Sequence, residues 1–234
     1  MCGRYVSVSS PTILAERFAV EEVRVADERE PNYNVTPRAE VPVVAESHGH
    51  RVLDVVRWGL VPFWAKDLKI GDRLINARAE TVATSNAYKR AFAKRRCIIP
   101  ADGFYEWERR EKRAKQPWFI RRRDGEPLAF AGLWEIWHDR SLGDDAPRVR
   151  SCVIITTDAN EILAPIHDRM PVVLAESEWS SWLDEENHDV GALQKLLVPA
   201  PAAELEAWPV STLVNKPANN GPELVEPAPL DSAP

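Results

Sequence analysis

The chain has 234 residues, 44% of them hydrophobic, which is enough for one substantial core and suits a single domain. No run approaches the roughly eighteen consecutive apolar residues that span a bilayer, and Met-Cys-Gly-Arg-Tyr lacks the apolar stretch of a secretory leader; a soluble, cytoplasmic, monomeric protein is expected. Three distant cysteines, Cys2, Cys97 and Cys152, fit neither a disulfide framework nor a zinc-ligand spacing, and the net charge of −6 hides an asymmetry: residues 66–123 carry 17 Lys and Arg against 7 Asp and Glu. That segment is either a basic binding face or a solvated surface with Lys and Arg on strand edges.

After a short strand, Pro11 to Phe18 predicts a helix, with Ile13, Leu14 and Phe18 on one face and Ser10 as its cap. Val41 to Ala45 and Val52 to Trp58 read as strands. A Pro- and Gly-punctuated passage leads to Asn76, and Thr81 to Ala93 predicts a second helix from the spacing of Ala87, Tyr88, Ala91 and Phe92. Five strands follow, at Cys97 to Ile99, Gly103 to Trp107, Trp118 to Arg121, Leu128 to Trp134 and Arg150 to Thr156. A helical turn at Ala159 to Leu163, a strand at Pro171 to Leu174 and helices at Glu178 to Leu183 and Val190 to Leu197 complete the pattern. The fold class is α+β, because strands and helices do not alternate regularly. The ordered domain is expected over 2–225, with a disordered, Pro-rich and acidic tail over 226–234.

Cys2 is the most informative residue because of its position. Initiator methionine is usually removed before a small side chain, and the chain then begins with cysteine. An α-amine with a pKa of about 7.7–8.0 and a thiol near about 8.5 then share one carbon skeleton, so amine and thiolate coexist near neutrality. An aldehyde can form an imine with the amine and close onto sulfur as a five-membered thiazolidine, which an internal cysteine cannot do. Gly3 and Arg4 add a permissive backbone and a possible phosphate contact beside it.

Six ordered motifs sharpen this reading: Met1-Cys2-Gly3-Arg4-Tyr5, the stretch Pro31 to Pro37, Arg57-Trp58-Gly59-Leu60-Val61-Pro62, Asn76-Ala77-Arg78-Ala79-Glu80-Thr81, the stretch Arg96 to Trp107, and His167-Asp168-Arg169-Met170-Pro171. Together they resemble the SOS response-associated peptidase family, the abasic-site processing proteins. The resemblance implies a single α+β domain with a curved, barrel-like, mostly antiparallel β core flanked by helices. It implies single-stranded DNA containing abasic sites as partner, a covalent bond from Cys2 to the sugar aldehyde, and no cofactor or metal. It also places Asn76, Glu106 and His167 around Cys2.

The residue types fit those roles. Glu106 in Gly-Phe-Tyr-Glu-Trp has an aromatic setting that would raise a carboxyl toward neutrality for proton shuttling, unless it is simply an edge-strand glutamate. His167 can give a proton to the sugar oxygen as the ring opens, with Asp168 or Arg169 tuning it. Asn76 cannot titrate and is expected to orient Cys2 or the sugar. Arg78 would share the Asn76 face if the passage is extended, and with Arg4 suits phosphate. Trp58 and Trp64 are each either a stacking surface for bases or a core tryptophan. Two other function classes use the same residues: a thiol (auto)peptidase with Cys2 as nucleophile, which needs no free α-amine, and a non-catalytic single-strand binding module, for which Cys2 is dispensable.

Overall fold

The computed structural model describes residues 2–26, 29–108, 115–139, 141, 143 and 145–229. They form one α+β domain with two sheets, and the alternation of side chains along its strands explains how the sheets pack. In β4 (Glu40–Ser47), β5 (His50–Trp58), β7 (Arg96–Ala101), β10 (Leu128–His138) and β11 (Arg148–Asp158), neighbouring residues face opposite ways. Val41, Val43, Val56, Trp58, Cys97, Ile99, Phe130, Cys152 and Ile154 fill one cluster. Val44, Leu53, Ile98, Ala131, Leu133, Val153 and Ile155 fill another, on the helix side. Both faces are buried, which is why these strands read as near-continuous apolar runs.

The five strands close on themselves. β4 pairs with β5 and β7, β7 with β10, β10 with β11, all antiparallel, and β11 returns to β5 in parallel at Ser151↔Arg57 and Cys152↔Trp58. Closure removes the free edges of this barrel and leaves a dry interior. Gly132 is required there, since a Cβ would lie 2.8 Å from Ile99 Cδ1 and 3.0 Å from Cys97 Sγ. The short β2 (Glu22–Val23) adds to β5, while β6 (Asn76–Arg78) and β12 (Arg169–Pro171) add to β11. The second sheet is antiparallel, and runs from β13 (Leu205–Pro209) through β9 (Gln116–Arg122), β8 (Gly103–Glu108) and β1 (Tyr5–Ser7) to β3 (Asn32–Val35).

Helix α1 (Pro11–Arg17) begins where Ser10 accepts from the Ile13 amide and Pro11 supplies the first turn. The expected second helix is shorter than its spacing predicts: α2 covers only Lys89–Lys94, and 79–88 is a series of turns. Thr81, Val82, Thr84, Ser85 and Asn86 are weak helix formers, and the Arg78 carbonyl takes both the Thr81 and Val82 amides. Helices α3 (Trp179–Leu183) and α4 (Val190–Lys195) fall as expected. The expected strand at 171–174 is β12 followed by a single bridge, Val173 to Phe130. Of the C-terminal tail, 230–234 lies outside the described residues; before it, Pro227 bridges Val210 and the Ala228 amide donates to Pro209 O. No described helix is long and apolar enough to cross a membrane.

Candidate active site

Cys2 lies three residues before β1, and its side chain is fully buried in the cluster of the barrel interior that also holds Tyr5, Trp58 and Ile166. Burial pushes its thiol up, and the nearby Glu106 carboxylate adds to the shift. The other two cysteines, Cys97 of β7 and Cys152 of β11, are equally buried in the same cluster and also pushed up by desolvation.

Two strands bring partners to Cys2. β6 pairs in parallel with β11, Asn76 opposite Ile154, and the Asn76 Nδ2 donates to the Cys2 carbonyl at 2.8 Å. Asn76 is itself fixed from behind by Tyr88, whose hydroxyl donates to the Asn76 carbonyl at 3.1 Å. The Asn76 Oδ1 is buried and has no hydrogen-bond partner among the described residues, an acceptor left for a group that enters the site. On the opposite side, β8 carries Glu106, which is buried opposite Trp118 of β9. Desolvation raises its carboxyl to about 7, with the Asp168 carboxylate raising it further and the Trp107 amide opposing. This is a proton donor and acceptor matched to neutral pH.

His167 lies on the turn between β11 and β12, its side chain 19% exposed. Its Nδ1 is 3.0 Å from the Arg169 amide and 2.9 Å from Asp168 Oδ1. The neutral ring with its proton on Nε2 accepts from Arg169, whereas the protonated ring donates to Asp168, so the environment accommodates both states. Residues 164–168 line a cavity of about 310 Å³. Arg169 secures this turn: it pairs with Glu80 at 2.6 Å and Asp158 at 2.7 Å, and donates to Thr156 O at 2.8 Å. The Asn76 and His167 motifs, 91 positions apart, are joined by the Arg169 to Glu80 pair. Asn76 and Glu106 therefore act on Cys2 directly, Ile166 of the His167 turn packs in the same cluster, and among the described residues no group of His, Cys, Asp and Glu could hold a metal.

The four residues expected to meet nucleic acid part company. Trp58 is a core residue: it is fully buried, its Nε1 donates to Ile75 O at 3.0 Å and its ring meets Tyr5 edge-on at 5.3 Å. It has no face for a base, because Trp58 lies on the interior side of β5, where the barrel closes; its work is to back Tyr5 of β1 and the entry to β6. Arg4 is held by protein: Nη1 donates to Asn34 Oδ1 at 2.6 Å and to Val214 O at 2.8 Å, with Trp107 5.8 Å away. Arg78 is exposed and shares the Asn76 side of β6, with Ala77 turned inward. Trp64 is 48% exposed, beside Phe63, over which the Arg90 guanidinium sits at 4.2 Å.

Sequence reasoning missed Asn34. It is buried, and its amide donates to Val214 O, Lys216 O and Asn219 O at 3.3, 3.1 and 2.9 Å while its Oδ1 takes Arg4. This one side chain lashes the C-terminal segment onto β3 and onto Arg4, two residues after Cys2. Its signal was its place inside the Pro31 to Pro37 motif. Of the basic segment, residues 109–114 lie outside the described residues, and Arg96 is buried, donating to the carbonyls of Trp182, Phe92, Ala93, Asp184 and Asn187.

The family model described as SOS response associated peptidase matches residues 1–217. The chain is 42% identical over 226 residues to abasic site processing protein YoqW of Bacillus subtilis (strain 168), covering 97% of this chain and 99% of that protein. It is 35% identical over 234 residues to abasic site processing protein YedK of Escherichia coli (strain K12), covering 97% and 100%. It is 32% identical to abasic site processing protein HMCES of Xenopus tropicalis, covering 86% and 67%. In fold it resembles a crystal structure of a protein from Bacteroides thetaiotaomicron, with a TM-score of 0.86, 26% identity, and coverage of 97% of this chain and 100% of the other.

Proposed function

We propose, from the premise that this chain belongs to the SOS response associated peptidase family, that it processes abasic sites in single-stranded DNA by forming a thiazolidine between Cys2 and the ring-opened sugar. Its curated relatives are named abasic site processing proteins. The observation that carries the reading is the buried meeting of Cys2 with a neutral-range carboxyl, Glu106, and an amide, Asn76, that grips the Cys2 backbone.

With Met1 removed, the Cys2 amine adds to the aldehyde carbon to give a carbinolamine. Loss of its hydroxyl as water requires a proton, and a Glu106 carboxyl poised near 7 supplies it. The Cys2 sulfur then adds to the carbon of the resulting iminium, whose nitrogen already carries its hydrogen, and the thiol proton returns to the Glu106 carboxylate. Aldehyde and aminothiol thus give thiazolidine and one water. His167, at the rim, donates to the sugar ring oxygen as the ring opens, and the Asn76 Oδ1 accepts from the sugar hydroxyl. Burial serves the chemistry by keeping bulk water from competing for the imine.

A peptidase reading shares Cys2, Glu106 and His167, but it requires a thiolate, and burial holds this thiol in its neutral form. The aminothiol route does not begin with thiolate. Intact-mass spectrometry of protein incubated with an abasic oligonucleotide tests the proposal. The expected product lacks Met1, carries the oligonucleotide mass less one water and survives denaturant; Cys2→Ala forms none of it. Fully active protein that retains Met1 excludes the mechanism.

A further inference from the structure

A second cationic feature lies on the outer face of the seam where β5 meets β11. A groove of about 350 Å³ is lined there by Arg38, Glu40, Arg57, Arg148, Val149 and Arg150. Four guanidinium groups in one groove repel each other, and the protein meets this with carboxylates set at its edges. Arg38 grips Asp72 with two bonds, at 2.8 and 2.5 Å, and Arg57 reaches the same Asp72 at 2.9 Å while donating to Gly59 O at 3.3 Å. Arg150 pairs with Asp54 through both terminal nitrogens. Each guanidinium has five N–H donors, so these three keep donors unused. Arg148, the first residue of β11, is exposed and commits none to the described residues.

The arrangement is pinned, which separates it from a scatter of surface charge. Arg38 is held at φ 77°, a left-handed conformation that a side chain resists, by the bond of its amide to Trp58 O at 2.8 Å. Its neighbour Ala39 accepts from the Trp58 amide at 2.9 Å. Trp58 is therefore clamped on both sides, with its ring in the core and Arg57 directed to the groove.

The chain path also bounds the distance from the groove to the Cys2 site. Tyr5, three residues after Cys2, pairs with Val35, and Arg38 follows Val35 by three. Extended chain covers about 3.5 Å per residue and a strand pair about 5 Å, so the near end of the groove lies within about 25 Å of Cys2. At a minimum of about 3.4 Å per phosphate, that is about seven nucleotides or fewer.

We propose that this groove, centred on Arg148 and flanked by Arg38, Arg57 and Arg150, binds backbone phosphates of the DNA strand a few nucleotides away from the abasic residue held at Cys2. The inference rests on the abasic-site reading above. Planar guanidinium forks with unused donors match phosphate oxygens, and the paired Asp72 and Asp54 hold the forks in place without covering them. The groove carries no base-stacking ring, so it tracks backbone and reads no sequence.

The test compares an abasic trinucleotide, which carries only the phosphates next to the abasic residue, with a 15-mer abasic at its centre. Arg148→Ala is expected to lower the second-order rate of adduct formation three- to tenfold on the 15-mer and to leave the trinucleotide unchanged. Arg148→Glu lowers the 15-mer rate further, and Arg148→Lys restores most of it. The slope of log affinity against log salt on the 15-mer becomes shallower by about 0.7 for each phosphate that no longer meets a guanidinium. Being exposed and unbonded, Arg148 can be replaced without unfolding, which equal melting temperatures check. Unchanged 15-mer rates in both Arg148→Ala and Arg148→Glu overturn the proposal, as does an equal loss on both substrates. Inorganic phosphate is titrated into the protein alone as a separate arm; binding abolished by Arg148→Ala without any change on the 15-mer assigns the groove to free phosphate and overturns the strand reading. Wild-type protein that forms no adduct on either substrate sinks the abasic-site reading and this one with it, whereas wild-type adduct with indifferent variants sinks only the groove.

Discussion

Cys2, Asn76 and Glu106 stand on or beside strands whose neighbours bury them, while Trp64, Arg78, Arg90 and Arg148 stand at exposed positions on the same domain. The first set is low in charge, dry and hydrogen-bonded into sheets; the second is cationic or aromatic and faces solvent. On the proposed reading, the contrast assigns bond making and strand holding to different parts of the fold. A dry pocket raises the Glu106 carboxyl and keeps water from the imine, but attracts no DNA by itself; exposed guanidinium groups attract DNA and would spoil the pocket if they entered it.

The sharpest way to break this division is Glu106→Gln. Adduct formation on an abasic oligonucleotide is expected to slow by roughly a hundredfold, the loss typical of a general acid or base, with affinity for undamaged single strands within a few fold. Single-turnover gel kinetics beside anisotropy measure both; comparable losses in rate and affinity would merge the two regions into one. The same substitution has a stability signature. Folded Glu106 titrates at about 7 against 4.5 for a glutamate in water, so between those pH values the native state holds more protons than the unfolded chain, and stability falls as pH rises. The cost is absent below about pH 4 and full above about pH 7, on the order of 3 kcal/mol. Urea unfolding of Glu106→Gln should lack that slope and exceed wild type at pH 8.

Trp64→Ala reverses the pattern. Loss of one stacking ring should weaken single-strand binding by roughly tenfold while the adduct rate at saturating DNA stays within twofold. A slowed rate at saturation would move Trp64 into the reaction centre. Arg78→Ala is the mildest and the most diagnostic of charge: affinity should fall a few fold for every sequence alike, with the salt slope shallower by about 0.7. Equal wild-type affinity at low and high salt would remove phosphate tracking from the account.

Much of this was legible in the sequence, for reasons that differ from residue to residue. Apolar runs marked the barrel strands because both of their faces are covered, and the aromatic flanks of Glu106 foretold its raised carboxyl. Trp58 could not be placed from sequence, since the one-residue phase that sends it inward is fixed by the closure of β5 on β11, a pairing 94 residues apart. The short β6 was legible only as a condition, because three residues carry no periodicity and its existence depends on pairing with β11, some 78 positions away. Arg4 suited phosphate by type, yet its partners Asn34 and Val214 are 30 and 210 positions away, beyond any local pattern.

That last distance has a consequence in time. A ribosome adding about 5–20 residues each second needs roughly 10–40 s to travel from Arg4 to Val214. For most of that interval Cys2 has left the tunnel, but the carbonyls that Asn34 and Arg4 will grip do not yet exist. On the proposed reading, the nascent aminothiol is a loose end open to any cellular aldehyde until the segment around Val214 has been made and bound.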